Sequence, residues 1–107
     1  MKDIDLKNVV EIKSMALAQC IYLENIDLKN VNKLGGSIFD ACSNLKTITV
    51  RSTTLEVSDS YWAFGYLVPD GLVVYVPNEE IRRLVKGQYD ENKITVEIKS
   101  LEEMENL

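Results

Sequence analysis

The chain contains no histidine, which removes the side chain that most often serves as a general base near neutral pH and the commonest metal ligand. Cysteine is almost as scarce. Cys20 and Cys42 are far too few for a disulfide-built scaffold, and two thiols without further soft ligands do not close a zinc site. Long apolar runs are missing too: Lys2, Asp3, Asp5, Lys7, Glu11 and Lys13 break up the N-terminal segment, so no signal peptide is read there. No later stretch approaches the length of a bilayer-spanning helix, and membrane insertion is not expected. Positive charge is in deficit, with 12 Lys and Arg against 17 Asp and Glu and a net charge of −5. A Coulombic grip on a phosphate backbone is therefore disfavoured, and no nucleic-acid partner is expected.

Further absences narrow the chemistry. No pair among the carboxylates sits in a pocket-forming motif that would suggest a glycosidase dyad. Gly35-Gly36 has no Lys-Ser/Thr after it at phosphate-loop spacing, so it reads as a turn. No catalytic residue, metal ligand or cofactor site is expected, and the chain is not read as an enzyme.

The material for a core is present. Hydrophobic residues make up 46% of the 107 positions, enough for one folded unit rather than a disordered segment. They recur with a period. Shifted by 22 residues, Ile4-Asp5-Leu6-Lys7-Asn8-Val9 falls on Ile26-Asp27-Leu28-Lys29-Asn30-Val31, six identities in succession. The same shift places Ile12 on Leu34, Leu17 on Phe39, Cys20 on Cys42 and Leu23 on Leu45, and it runs on into Ile48 and Val50. A period of 22 lies in the leucine-rich-repeat range.

Within each copy, Leu23, Ile26 and Leu28, then Leu45, Ile48 and Val50, give a turn followed by a strand with its apolar residues two apart, on one face. The chain then passes Val31 and Leu34, turns at Gly35-Gly36 and returns through Phe39 and Cys42. Each coil is stable only through its neighbours. Both cysteines are expected to point into the core as free thiols. Phe39 is expected to be the costliest core side chain to truncate. The third copy is longer: Phe64 follows Phe39 by 25 residues, which places an insertion of about three residues near Ser58-Asp59-Ser60. Pro69-Asp70-Gly71 marks a turn, and Leu72 to Val76 reads as another strand. Asn78 can cap a helix with Glu79 and Glu80 in its first turn, Ile81, Leu84 and Val85 as its apolar stripe and Gly87 as its stop. Ile94, Val96 and Ile98 alternate with polar residues as a last strand.

The run Leu34-Gly35-x-x-Ile38-Phe39-x-x-Cys42-Ser43-x-Leu45-x-x-Ile48-x-Val50 resembles the BspA-like class of bacterial leucine-rich repeats. Ile12, Ala16-Leu17, Cys20, Leu23 and Ile26 look like a worn copy, and Trp62-Ala63-Phe64 keeps the Ala-Phe pair. The ending Val74-Tyr75-Val76-Pro77, followed by a helix and a strand, is similar to the close of such arrays. Where a proline usually follows the strand, this chain carries Lys7-Asn8 and Lys29-Asn30. The resemblance implies a right-handed solenoid of about three 22-residue coils, mainly parallel β with turns, closed by a short C-terminal helix and strand. It divides the chain into a repeat domain with its capping helix over residues 1–98 and a charged tail over residues 99–107 that is expected to fray.

Equivalent strand positions lie about 4.8 Å apart, so Lys7, Lys29 and Arg51 are expected to form a basic column on the solvent face beside an acidic column of Asp5 and Asp27, which Thr49 continues. Tyr61, Trp62 and Tyr66 in the irregular third repeat complete the candidate binding surface. The function implied by the resemblance is a protein-binding module with an unidentified protein partner. A structural or oligomerisation element and a small acidic inhibitor of bacterial or mobile-element origin are the alternatives. A surface or secreted location is implied for a piece of a longer array, and a cytoplasmic one if Met1 is the native start. The first repeat begins at Ile4 and Leu6 with nothing resembling a cap before it, so the expectation is either a further repeat upstream or, if Met1 is the native start, pairing of this edge with a second copy as a homodimer.

Overall fold

Short strands form where the repeat sets one apolar residue among polar ones, and each lies beside its counterpart in the next repeat. The computed structural model describes residues 4–57, 69, 71–90 and 96–105. In chain order the elements are β1 (Glu11–Ile12), β2 (Asn25–Asp27), β3 (Lys33–Leu34), β4 (Thr47–Thr49), β5 (Glu56–Val57), β6 (Val73–Val76), α1 (Glu79–Asp90), β7 (Glu97–Ser100) and α2 (Leu101–Glu105). They build two parallel sheets, ordered β1-β3-β5 and β2-β4-β6-β7. Strands of two to four residues have too few hydrogen bonds to stand alone, so stacking holds them.

The register is the sequence period made physical. Glu11 pairs with Lys33 and Ile12 with Leu34 in one sheet, while Asn25 pairs with Thr47, Ile26 with Ile48 and Asp27 with Thr49 in the other. Between the two sheets, the apolar positions of successive repeats form one cluster, including Leu23, Ile26, Leu28, Val31, Leu34, Phe39, Cys42, Leu45, Ile48 and Val50. Cys42 is fully buried and its thiol donates to the Leu17 carbonyl at 3.1 Å. Both cysteines are free, but Cys20 is only half-buried. Burial also pushes the Cys42 thiol up from its ordinary value. In the native protein Cys20 should therefore label quickly with a thiol reagent and Cys42 slowly, with both fast in denaturant. Peptide mapping of the labelled chain reads the difference.

The third repeat lengthens in two places. Lys33 pairs with Glu56, which puts one extra residue before β5. Thr47 pairs with Val73, which puts three more between β5 and β6. That second interval contains Ser58-Asp59-Ser60, where the sequence places its insertion; residues 58–68 and 70 lie outside the described ones.

Three expectations are corrected. The sequence reading takes the chain past Val31 and Leu34 as a connection, whereas Lys33–Leu34 is a strand of a second sheet, too short to leave an alternation pattern. Gly87 is not a helix stop. α1 begins as expected, with Asn78 Oδ1 accepting from the Ile81 N–H at 2.9 Å, but it runs through Gly87 to Asp90 and buries Ile81, Val85 and Tyr89 at spacings of four. Burying an aromatic ring outweighs the roughly 1 kcal/mol that an interior glycine costs. A Cβ at Gly87 would meet nothing within 4 Å, so Gly87→Ala should stabilise the protein, by about 0.5–1 kcal/mol in urea titration. Finally, Lys99 and Ser100 lie in β7, and residues 101–105 form α2 rather than a frayed tail. Ser100 Oγ accepts the Glu103 N–H at 3.3 Å, and the half-buried Leu101 and Met104 give the helix an apolar side to set down.

Candidate functional site

β2 leaves its sheet through Asp27, and one period earlier Asp5 makes the same turn. Asp5 Oδ1 accepts the Lys7 N–H at 3.1 Å and Asp27 Oδ1 accepts the Lys29 N–H at 3.0 Å, so the repeated Asp-Leu-Lys is first a turn in which the side chain closes its own backbone. The residue after each turn ties the repeats together: Asn30 Nδ2 donates to the Lys7 carbonyl at 2.9 Å. These turns place the charged side chains in one strip along the edge of the stack.

The charges of the strip connect diagonally. Lys29 Nζ lies 3.8 Å from Asp5 Oδ1, and Arg51 grips Asp27 with two nitrogens, Nε and Nη2 each at 2.9 Å from a carboxylate oxygen. The aspartate of one repeat thus meets the cation of the next. Among the described residues no carboxylate pairs with Lys7. The strip carries three cations against two carboxylates, an excess of one positive charge on a chain whose net charge is −5.

Burial alone would raise the Asp27 carboxyl, but the Arg51 hydrogen bonds, the Lys29 N–H and both positive charges together hold it below its ordinary value. A folded-state value lowered in this way contributes stability that is present at neutral pH and lost as pH falls through and below the ordinary carboxylate range. Asp27→Asn should accordingly cost about 1 kcal/mol or less at pH 7, the pair being half-exposed. The deficit should close in acid melts below the carboxylate range; an equal deficit at both pH values would assign it to the turn alone.

Beside the strip opens a groove of about 720 Å³, lined by Lys29, Asn30, Asn32 and Arg51 together with the hydroxyls of Ser52, Thr53 and Thr54. Asn32 Oδ1 is buried there and has no hydrogen-bond partner among the described residues.

The sequence-chosen surface is only partly brought together. Asp5, Lys7, Asp27, Lys29 and Arg51 share the strip. Thr49 does not reach solvent: it is 5% exposed, and its hydroxyl donates to Met104 Sδ of α2 at 3.6 Å. Tyr75, its neighbour in β6, is buried too. The C-terminal helix therefore lies over that part of the second sheet, a fold-back that no local pattern around Thr49 signals. Tyr61, Trp62 and Tyr66 lie outside the described residues. Sequence reasoning missed the groove hydroxyls and Asn32, whose polar character is ordinary for a loop. It also missed Val10, Met15, Ile21 and Tyr22, large apolar side chains that the first repeat leaves exposed. Comparing the repeats position by position would have found them, because the second repeat carries Asn32, Ser37, Ser43 and Asn44 at those places.

Among the described residues no group of acidic, cysteine or histidine side chains is arranged to hold a metal ion, and no helix is long and apolar enough to cross a membrane. The family model described as BspA type leucine rich repeat region matches residues 1–66 in six copies. Neither the curated proteins nor the solved structures yielded a match.

Proposed function

Because the chain belongs to the BspA-type leucine-rich-repeat family, whose repeats generally mediate protein interactions, we propose that it is a non-catalytic protein-binding module. In this reading the stacked repeats are a short right-handed solenoid closed at its far end by α1, β7 and α2, and the working surface is the strip of Asp5, Lys7, Asp27, Lys29 and Arg51 with its adjoining groove. The observation that carries it is the ladder of offset charges with a cationic excess on an otherwise acidic chain. Such a strip repels other acidic surfaces less than the rest of the molecule does, and it orients a partner carboxylate toward Lys7 and the groove. Electrostatics of this kind sets register and association rate more than affinity. The hydroxyls of Ser52, Thr53 and Thr54 along the groove supply hydrogen bonds that fix a polar segment once it is seated.

A photo-reactive residue in place of Thr53, on the groove wall, tests this in cells that make the protein. A discrete protein cross-link is expected. It should vanish when Lys29→Glu and Arg51→Glu are introduced into the same chain, and it should be absent when the probe replaces Lys86 on α1. Equal capture by the charge-reversed chain or from the Lys86 position would contradict the assignment of this surface.

A further inference from the structure

The two ends of the stack differ. In the second repeat Ile26, Leu28, Val31, Phe39 and Cys42 are all buried, with at most 3% exposure. Their counterparts one period earlier, Ile4, Val9, Leu17 and Cys20, are only partly buried, and Leu6 remains 7% exposed. β1 and β2 are edge strands, each paired on one side only. Around that end stand Val10, Met15, Ile21 and Tyr22, 47–67% exposed, where the second repeat has Asn and Ser. An apolar end bordered by an apolar rim and by two strands with an open edge among the described residues is a surface built for contact.

What fits it is decided at one position. Gly35 lets the second repeat approach the first: a Cβ there would stand 2.3 Å from the Ser14 nitrogen. One period earlier the same place holds Lys13. A further repeat stacked under the first as closely as the first lies under the second would meet that side chain. β1 offers a different approach. Its pairing with β3 uses the carbonyls of Val10 and Ile12, which accept from Asn32, Lys33 and Gly35, so by alternation the backbone groups of Glu11 face the open edge. Glu11 and Lys13 flank Ile12 with opposite charges. A segment with that pattern is complementary to itself when run antiparallel, but not when run parallel.

We propose that the open face of the first repeat binds a second copy of this chain, edge to edge and antiparallel, about a two-fold axis beside Ile12. Glu11 of each chain then faces Lys13 of the other, and the rim of Val10, Met15, Ile21 and Tyr22 closes over the apolar end. Size is compatible: Cα extents of 30 × 29 × 27 Å give an end face on the order of 800 Å², the area each side of a standard interface covers. The contact is independent of the Lys29–Arg51 strip, so it stands whether or not that strip binds a partner.

Sedimentation equilibrium of the 107-residue chain over a concentration series reaching the millimolar range tests it. The mass should rise to twice the 12.1 kDa of one chain and stop there. Glu11→Lys alone and Lys13→Glu alone each place like charges opposite one another and should weaken the dimer about tenfold or more. The double exchange Glu11→Lys with Lys13→Glu restores opposite charges and should restore the dimer. Far-ultraviolet circular dichroism on the same samples shows that the repeats remain folded. A chain monomeric throughout the series overturns the proposal, as does growth beyond two copies. A dimer that both single reversals leave intact, or that the double exchange does not rescue, overturns the antiparallel register.

Discussion

Replacing Phe39 by alanine is expected to cost about 3 to 5 kcal/mol, the usual toll of deleting a buried aromatic ring from a packed interior. Phe39 is 3% exposed in the common core, and the corresponding position of the first repeat, Leu17, is half-buried. The ring therefore fills space that belongs to several repeats at once. Because each repeat is stable only through its neighbours, the cavity is felt along the stack. For a domain of this size every 1 kcal/mol moves the melting temperature by roughly 4–8 °C, so the variant should melt at least about 12 °C below the parent. A Phe39→Ala protein that melts within a degree or two of the parent would show that the ring does not hold the repeats together.

Gly35→Ala should be comparably damaging for the opposite reason. Here there is no room: the added Cβ would lie 2.3 Å from the Ser14 nitrogen, 2.7 Å from Ser14 Oγ and 2.9 Å from the Lys13 carbonyl carbon. Two of these three atoms are backbone, so no side-chain rotation relieves the contact and the repeats must part. Parting them strains the bond from the Gly35 N–H to the Ile12 carbonyl, 2.8 Å, and the bond from the Gly36 N–H to Ser14 Oγ, 3.0 Å. Overpacking typically costs about 1–3 kcal/mol and occasionally more, and with backbone on the far side of the contact the upper end is expected. The same substitution at Gly87, on the open side of α1, should have the opposite sign. If both glycine variants shift the urea midpoint in the same direction, close approach at Gly35 is not what the glycine provides.

The stacking was legible because the period repeats one physical demand. Ile4-Asp5-Leu6 and Ile26-Asp27-Leu28 alternate inside and outside, and a shift of 22 lays each apolar side chain over its counterpart, as the pairing of Ile26 with Ile48 shows. The helix start was legible for a local reason, since the Asn78 side chain closes its own first turn. Features that depend on distant contacts were not legible. Gly87 carries a stop signal that the burial of Tyr89 overrides two residues later. Thr49 stands in a solvent-facing column by its register, and the return of Met104, 55 residues on, covers it. The candidate strip was visible as columns, but its diagonal pairing was not, because the reach of Arg51 to Asp27 follows from turn geometry and not from spacing. The two-residue strands β1 and β3 are likewise set by their neighbours rather than by any pattern of their own.

The displayed strip, the open first repeat and the covered far end all depend on repeats stacked in one register. Native-state hydrogen exchange measures that register bond by bond. The N–H groups of Gly35, Leu28 and Val50 donate to Ile12, Thr49 and Tyr75 at 2.8, 2.9 and 2.9 Å, one bond across each successive junction between repeats. All three should be strongly protected in the folded chain, and Phe39→Ala should lower the protection of all three together. Exchange of Gly35, Leu28 and Val50 at the rates of an unstructured peptide, in a chain that circular dichroism shows to be folded, would contradict the stacked register and every surface built on it.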